Sequence, residues 1–282
     1  MRRLLHPSEM VEYCYGSFRS GSLVGLVPTM GALHGGHQAL VARAKDECDL
    51  VVTSIFVNPL QFNDPADLEK YPRSLQDDLE ALEALAVDAV FTPEPDEMHP
   101  EPRVFSVALV GWQTEMESTS RPGHFSGVAT VVMKLLAMLG PGRAYFGEKD
   151  FEQLAVVKRM VEEFHLPASV VSCPTVRDPG GLALSSRNRR LSAAGVERAR
   201  SLYSVLTKAS LDLQAGRSVQ ESVATARLSL EERGIDVEYL VVADPPLLRR
   251  VEAVSKLSRV FVAARVEGVR LIDNVAVGEG KP

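Results

Sequence analysis

From Leu23 onward, short apolar runs alternate with longer stretches in which apolar residues recur every three or four positions. The runs Leu23–Val27, Leu50–Val57, Ala89–Thr92, Phe105–Val110, Arg143–Phe146 and Ser169–Ser172 have the length and content of buried strands. The stretches Gly36–Cys48, Leu75–Ala86, Gly127–Leu139 and Phe151–Phe164 have the spacing of helices. Strands alternating with helices predict a Rossmann-like α/β fold, a parallel sheet with helices on both faces. Ligands of such sheets bind beyond the carboxyl ends of the strands, so chemistry is expected in the loops that follow each run.

The pattern changes near Thr175. Arg177-Asp178-Pro179-Gly180-Gly181 is rich in turn formers. Beyond it, Ala193–Gln214 and Val219–Gly234 read as helices, and Val237–Ala243, Arg259–Val266 and Val269–Asp273 as strands. This predicts two domains, residues 1–176 and a smaller C-terminal α+β domain at 177–282. The tail from Gly278 to Pro282 carries no pattern and is expected to be disordered.

Composition narrows the class. The 282 residues are 45% hydrophobic and 24% charged, ordinary for a globular enzyme. The net charge of −6 lacks the basic footprint of a nucleic-acid binder, although a local basic pocket would suffice for ATP. No apolar run approaches the roughly 20 residues a membrane helix needs, so no membrane partner is expected. Met1 to Glu9 has two arginines but no apolar core after them, unlike a secretory signal, and a cytoplasmic location is expected. Cys14, Cys48 and Cys173 are too few and too scattered for a disulfide framework or a zinc pattern.

Six loops carry candidate chemistry. The first is Pro28-Thr29-Met30-Gly31-Ala32-Leu33-His34-Gly35-Gly36-His37, between an expected strand and an expected helix. Helix N-termini have unpaired N–H groups and partial positive charge, so anions bind there. The glycines allow close backbone approach, and His34 and His37 can donate to phosphate oxygens. No nearby Cys, Asp or Glu completes a metal site with these histidines. The second loop places Asn58, Gln61 and Asn63 after the next strand, neutral amides that can fix hydroxyls and a carboxylate. In the third, Asp77 and Asp78 begin a helix, where they serve its dipole or hold Mg²⁺ through waters; for at least one of them the solvated-helix reading is favoured. In the fourth, Arg121 and His124 lie in a turn ahead of an apolar helix fit for a core or a subunit interface. The fifth, Gly147-Glu148-Lys149-Asp150 followed by Gln153, offers a cation for phosphate, a ribose or capping carboxylate, and an amide. The sixth, Leu184-Ser185-Ser186-Arg187, offers two hydroxyls and a guanidinium that forks onto phosphate.

The order and spacing of these loops, from about Val27 to Asn188, resemble the pantothenate synthetase (pantoate–β-alanine ligase) family of the nucleotidyltransferase-like group with an HxGH signature. The C-terminal third is similar to that family's small lid domain. The resemblance implies two steps: pantoate and ATP-Mg²⁺ give pantoyl adenylate and pyrophosphate, then β-alanine gives pantothenate and AMP. It places ATP on Met30, Gly31, Ala32, Leu33, His34, Gly35, Gly36 and His37, and on Gly147, Glu148, Lys149 and Asp150. It makes His37 a proton donor, Gln61 and Gln153 pantoate contacts, and Val176 an adenine-side backbone contact. Leu184, Ser185, Ser186 and Arg187 then close over the triphosphate, and Asn58 joins the substrate side. Homodimerisation is likewise implied. Three positions depart from the family pattern: Gly180 for Asp, Leu184 for Met and Glu152 for Gln. A relative that transfers AMP to a phosphate-bearing acceptor would want more basic residues; the neutral Gln61 and Gln153 suit a small hydroxy acid.

Overall fold

A computed structural model describes residues 1–278. In chain order the elements are β1 (Arg2–Leu4), α1 (Pro7–Arg19), β2 (Val24–Thr29), α2 (Gly35–Glu47), β3 (Leu50–Ile55), α3 (Pro65–Glu69), α4 (Leu75–Ala84), β4 (Ala89–Phe91) and α5 (Pro95–Met98). Then come α6 (Glu117–Ser120), α7 (His124–Leu139), β5 (Arg143–Gly147), α8 (Phe151–Glu163) and β6 (Ser169–Cys173). The last are α9 (Ala193–Gln214), α10 (Val219–Glu231), β7 (Asp236–Asp244), β8 (Arg249–Arg250), β9 (Arg259–Val266) and β10 (Val269–Ala276). The expectation for the tail falls, beyond Gly278, outside the described residues.

The chain divides into two units. The first comprises Met1–Gly111, Arg121–Glu148 and Val156–Pro174. It holds a six-stranded parallel sheet in the order β1-β4-β3-β2-β5-β6. The order reverses direction between β2 and β5, and the crevice outside their carboxyl ends is where such sheets take ligands. One face buries Val27, Val51, Val90 and Tyr145 under Leu40, Val41 and Ala44 of α2 and Leu82 of α4. Helices α1 and α7 pack on each other and on β2. α7 is buried over most of its length, from His124 and Phe125 to Leu139, as a helix apolar on most faces must be.

Two expectations change here. Phe105–Val110 is not a strand. Val104, Phe105 and Val110 are 77%, 86% and 94% exposed, because β content alone makes no strand without a neighbouring ladder to bond. The sixth strand is instead Arg2–Leu4, paired in parallel with β4. It is too short for its period to be read.

The second unit comprises Trp112–Ser120, Lys149–Ala155 and everything from Thr175. Its antiparallel sheet runs β10-β9-β7-β8. Alternation along β9 sends Val260, Val262 and Ala264 into a core with Leu202 and Leu206 of α9 and Leu230 of α10. Phe261 and Ala263 point the other way, into a core with Met116, Ala155 and Tyr239. A sheet covered on both faces gives unbroken apolar strands. That second cover explains why two short segments, 112–120 and 149–155, group with this unit and not with the first, and the division after Pro174 falls close to the turn-rich stretch.

Candidate functional site

The loop from Met30 to His37 leaves the carboxyl end of β2 and enters α2, whose N-cap is His34. The His34 Nδ1 accepts from the N–H of Gly36 (3.1 Å), and the N–H of His34 donates to Nδ1 of His37 (3.3 Å). The two imidazoles thus form a capping box of the kind usually built from Ser and Glu. A backbone N–H can only donate, so both Nδ1 atoms are unprotonated and each neutral ring carries its proton on Nε2. The rings lie 4.0 Å apart between centroids, their planes tilted by 34°. A Cβ at Gly36 would stand 2.9 Å from Cε1 of His34, so a larger residue there would push the His34 ring aside. The first turn of α2 has no acidic residue to offset its positive end.

Asp78 holds this loop from the side. Its carboxylate is 3% exposed. Its two oxygens accept the N–H groups of Ala32 and Leu33, each at 2.8 Å. Ala32 has φ 50, a left-handed conformation costly for a residue with a Cβ, and the anchor is what keeps it there. The expected Mg²⁺ pair divides here: each oxygen of Asp78 accepts an N–H of the loop, while Asp77 is exposed on α4. The available signal was the spacing of Asp78 to Leu82, which puts the carboxylate on the buried face of the helix.

The turn after β3 is held by the start of α7. A Cβ at Gly127 would lie 2.1 Å from the carbonyl oxygen of Leu60, so the helix touches the turn backbone to backbone. The carbonyl of Gln61 accepts from Nη2 of Arg121 (3.0 Å) and from Nδ1 of His124 (2.8 Å). With Arg121 Nη1 at 3.3 Å from Nε2 of the same imidazole, His124 is the Nδ1–H tautomer. Gln61 turns its Nε2 to the sulfur of Met30 at 3.0 Å, which joins this turn to the β2–α2 loop. Asn58, expected on the substrate side, is instead a support. It is 1% exposed, and its amide bonds Gly127, Leu60, Gln61 and His99. Gly147 and Glu148 lie at the carboxyl end of β5, the strand beside β2.

The remaining expected residues lie in the second unit. Lys149 pairs with Asp150 at 3.5 Å, and its carbonyl accepts from Asn274 (3.0 Å). Glu152 is buried next to half-buried Gln153. It accepts from Thr114 Oγ1 (2.5 Å), the N–H of Glu117 (2.9 Å) and Trp112 Nε1 (3.3 Å). Burial pushes the Glu152 carboxyl above its ordinary value despite those donors. Glu117 in turn accepts from Tyr239 (2.9 Å) and from both terminal nitrogens of Arg270. The sequence named neither Glu117 nor Arg270; the Glu152 spacing to Ala155 and Val156 was the signal that its side is buried. The Leu184 N–H donates to the Val176 carbonyl (2.9 Å), closing the turn between them. Asp178 pins that turn by accepting from Gly180 and Leu182 (both 2.9 Å) and pairing with Arg200. Asp178 thus stiffens the loop at the position where Gly180 departs from the family pattern. Ser185 caps the short 3-10 turn Ser186–Arg190 by accepting from the N–H of Arg187.

An open parallel sheet with a histidine-capped helix at its switch point defines an α/β protein built to hold an anionic ligand there. The particular family follows from comparison. The chain belongs to the pantoate-beta-alanine ligase family, whose profile matches residues 4–276. A pantothenate synthetase of Ruegeria pomeroyi is 48% identical over 262 residues, 93% of this chain and 92% of that protein. The crystal structure of the pantothenate synthetase of Thermus thermophilus aligns with TM-score 0.90 at 41% identity, covering 98% of this chain and 99% of that one. The pantoate-beta-alanine ligase of Francisella tularensis, solved with beta-gamma ATP and beta-alanine, aligns with TM-score 0.83 at 34% identity, covering 99% of each chain.

Proposed function

We propose that the chain joins pantoate to β-alanine through an acyl adenylate. In the first step the pantoate carboxylate attacks the α-phosphorus of ATP, and the bond to pyrophosphate breaks. In the second the β-alanine amine attacks the acyl carbon; the bond to AMP breaks and the nitrogen loses a proton. The observation that carries this reading is the histidine cap: two imidazoles with their protons on Nε2, at a helix N-terminus, are donors suited to charge growing on phosphate oxygens. The Francisella relative was solved with beta-gamma ATP and beta-alanine, which supports ATP and β-alanine as substrates here.

Met30 to His37 cradle ATP, with the Nε2–H of His37 donating a hydrogen bond to the departing phosphate. Gly147, Glu148, Lys149 and Asp150 form a second ATP stretch, in which Lys149 is the counter-charge. Ser185, Ser186 and Arg187 donate to the triphosphate, and Val176 and Leu184 offer backbone to the adenine. Gln61 and Gln153 hold pantoate. Among the described residues no group of three or more His, Cys, Asp or Glu could hold a metal, and Asp78 is occupied, so these residues offer no dedicated Mg²⁺ cage. Mg²⁺ would be held on the phosphates of ATP and would neutralise their charge.

The protein works as a homodimer, for which the exposed Val104, Phe105 and Val110 offer apolar surface. No helix among the described residues is long and apolar enough to cross a membrane.

The test is an assay of pyrophosphate and AMP with ATP, pantoate and β-alanine. Both products are expected only when pantoate is present, and pantoate-independent ATP turnover refutes the reading. His37→Ala is expected to lose pyrophosphate release about 10²- to 10³-fold while remaining folded. Near-normal release from a folded variant refutes the role given to His37.

A further inference from the structure

A line of three side chains in the first unit has a polarity that its backbone ends dictate. The Asn58 Nδ2 donates to the carbonyl of Gly127 (3.1 Å), and its Oδ1 accepts from the N–H of Leu60 (3.3 Å). A carbonyl only accepts and a backbone N–H only donates, so the amide of Asn58 can face only one way. Its second Nδ2 hydrogen goes to Oε1 of Gln61 (3.1 Å). That turns the NH₂ of Gln61 outward from Asn58, toward Met30. On the other side, Nε2 of His99 lies 2.9 Å from Oδ1 of Asn58. Facing an acceptor, Nε2 must carry the proton.

His99 is 6% exposed, and its ring tilts against Phe56 at 5.7 Å between centroids. Its Nδ1 is buried and finds no hydrogen-bond partner among the described residues. Burial, with the positive charges of Lys134 and Arg103 and only Glu101 opposing, pulls the imidazole down to about 4, so the ring is neutral near pH 7 and has one proton to place.

We propose that His99 is a positioning residue for substrate: its Nε2–H braces Asn58, which holds the Gln61 amide with its donor end toward the ligand. This rests on Gln61 as a pantoate contact. A fixed NH₂ at that point selects a ligand with an oxygen acceptor, a carboxylate or hydroxyl, and disfavours one presenting a donor. The backbone sets which way the Asn58 amide faces, and the His99 bond at 2.9 Å, shorter than the 3.3 Å bond from Leu60 to the same oxygen, holds it in place there.

The first test needs no turnover. In full-length protein labelled with ¹⁵N-histidine, with His99 assigned by its loss in His99→Gln, the expected signals are a protonated Nε2 and a pyridine-type Nδ1. The opposite tautomer overturns the proposal. The second compares two variants. His99→Phe keeps the ring against Phe56 and removes the donor, whereas His99→Gln places an N–H near the Nε2 position. The Phe variant is expected to raise the pantoate KM about five- to tenfold, with the ATP KM and thermal midpoint near those of the parent. The Gln variant is expected to stay within about twofold of the parent. A Phe variant with the parental pantoate KM, or equal rises in both KM values, overturns the proposal. A parent with the expected tautomer but no pantoate-dependent turnover refutes the reading of Gln61 and takes the proposal with it.

Discussion

Asp78→Asn separates two tasks that a carboxylate at this place could have. In the structure its two oxygens accept the Ala32 and Leu33 N–H groups, both at 2.8 Å. The variant keeps one acceptor and sets an NH₂ against the other N–H. The loss is one charge-assisted bond, about 1.5–3 kcal/mol, which overlaps with the cost of leaving a buried N–H unsatisfied, about 1–3 kcal/mol. Together the expected destabilisation is about 3 kcal/mol, and the strained Ala32 loses part of its anchor. Denaturant unfolding measures the stability, and ATP titration of pyrophosphate release measures the loop. The midpoint is expected to fall without any change of Mg²⁺, and the ATP KM to rise about tenfold or more, since the loop carries His34 and His37. Adding Mg²⁺ is expected to restore neither. An unchanged midpoint with activity rescued by Mg²⁺ would refute the anchor and make Asp78 a metal ligand.

Gly127→Ala places a Cβ 2.1 Å from the Leu60 carbonyl, a backbone atom that cannot turn aside; a cost of about 3 kcal/mol or more is expected, with a pantoate KM raised ahead of the ATP KM. A parental midpoint in that variant would mean that α7 does not rest on the turn. Glu152 gives a pH dependence of known sign: burial raises its carboxyl above 4.5, so its contribution is full below that value and is lost as pH rises through the higher folded value. Glu152→Gln cannot ionise, so the stability gap between variant and parent is expected to move in the variant's favour as pH rises above the ordinary carboxyl value; a gap that stays constant refutes the shift.

How much was legible in the sequence depended on where the partner of each residue lies. β2, β3, β5 and β6 were readable because a central parallel strand is a short apolar run whoever its neighbour is. Arg2–Leu4 was not, since three residues show no period and only the pairing with β4 makes them a strand. Phe105–Val110 has strand-like content and no ladder. In the second unit, β9 reads Val-Phe-Val-Ala-Ala without a polar break. That is the mark of a sheet covered on both faces, but nothing local says that the second cover is 112–120 and 149–155. The same divide runs through the site. His34, His37 and the glycines between them announce a helix N-terminus by type and spacing alone. Asp78 was ambiguous because the N–H groups it serves lie 45 and 46 positions away. Asn58 looked like a substrate contact because its type suits one, and only the approach of Gly127 shows that its amide is used up inside.

These contacts also decide the direction in which the site can work. Four side chains in the first unit have their polarity set by backbone groups, which cannot themselves change role: His34, His37, His124 and Asn58. For the two capping histidines the result is an Nε2–H, a donor. Had either Nδ1 faced a carbonyl, as that of His124 does, its Nε2 would have been an acceptor and a candidate base. A pair of donors on a positive helix end is poorly suited to removing a proton from a substrate and well suited to an anion whose charge grows. The proposed acyl adenylation asks for that polarity, because pantoate would arrive with its carboxylate already ionised and the charge would develop on the departing phosphate. In that proposal the neutral rings would add hydrogen bonds without a fixed positive charge, and so follow the developing charge rather than simply tighten ATP in its ground state.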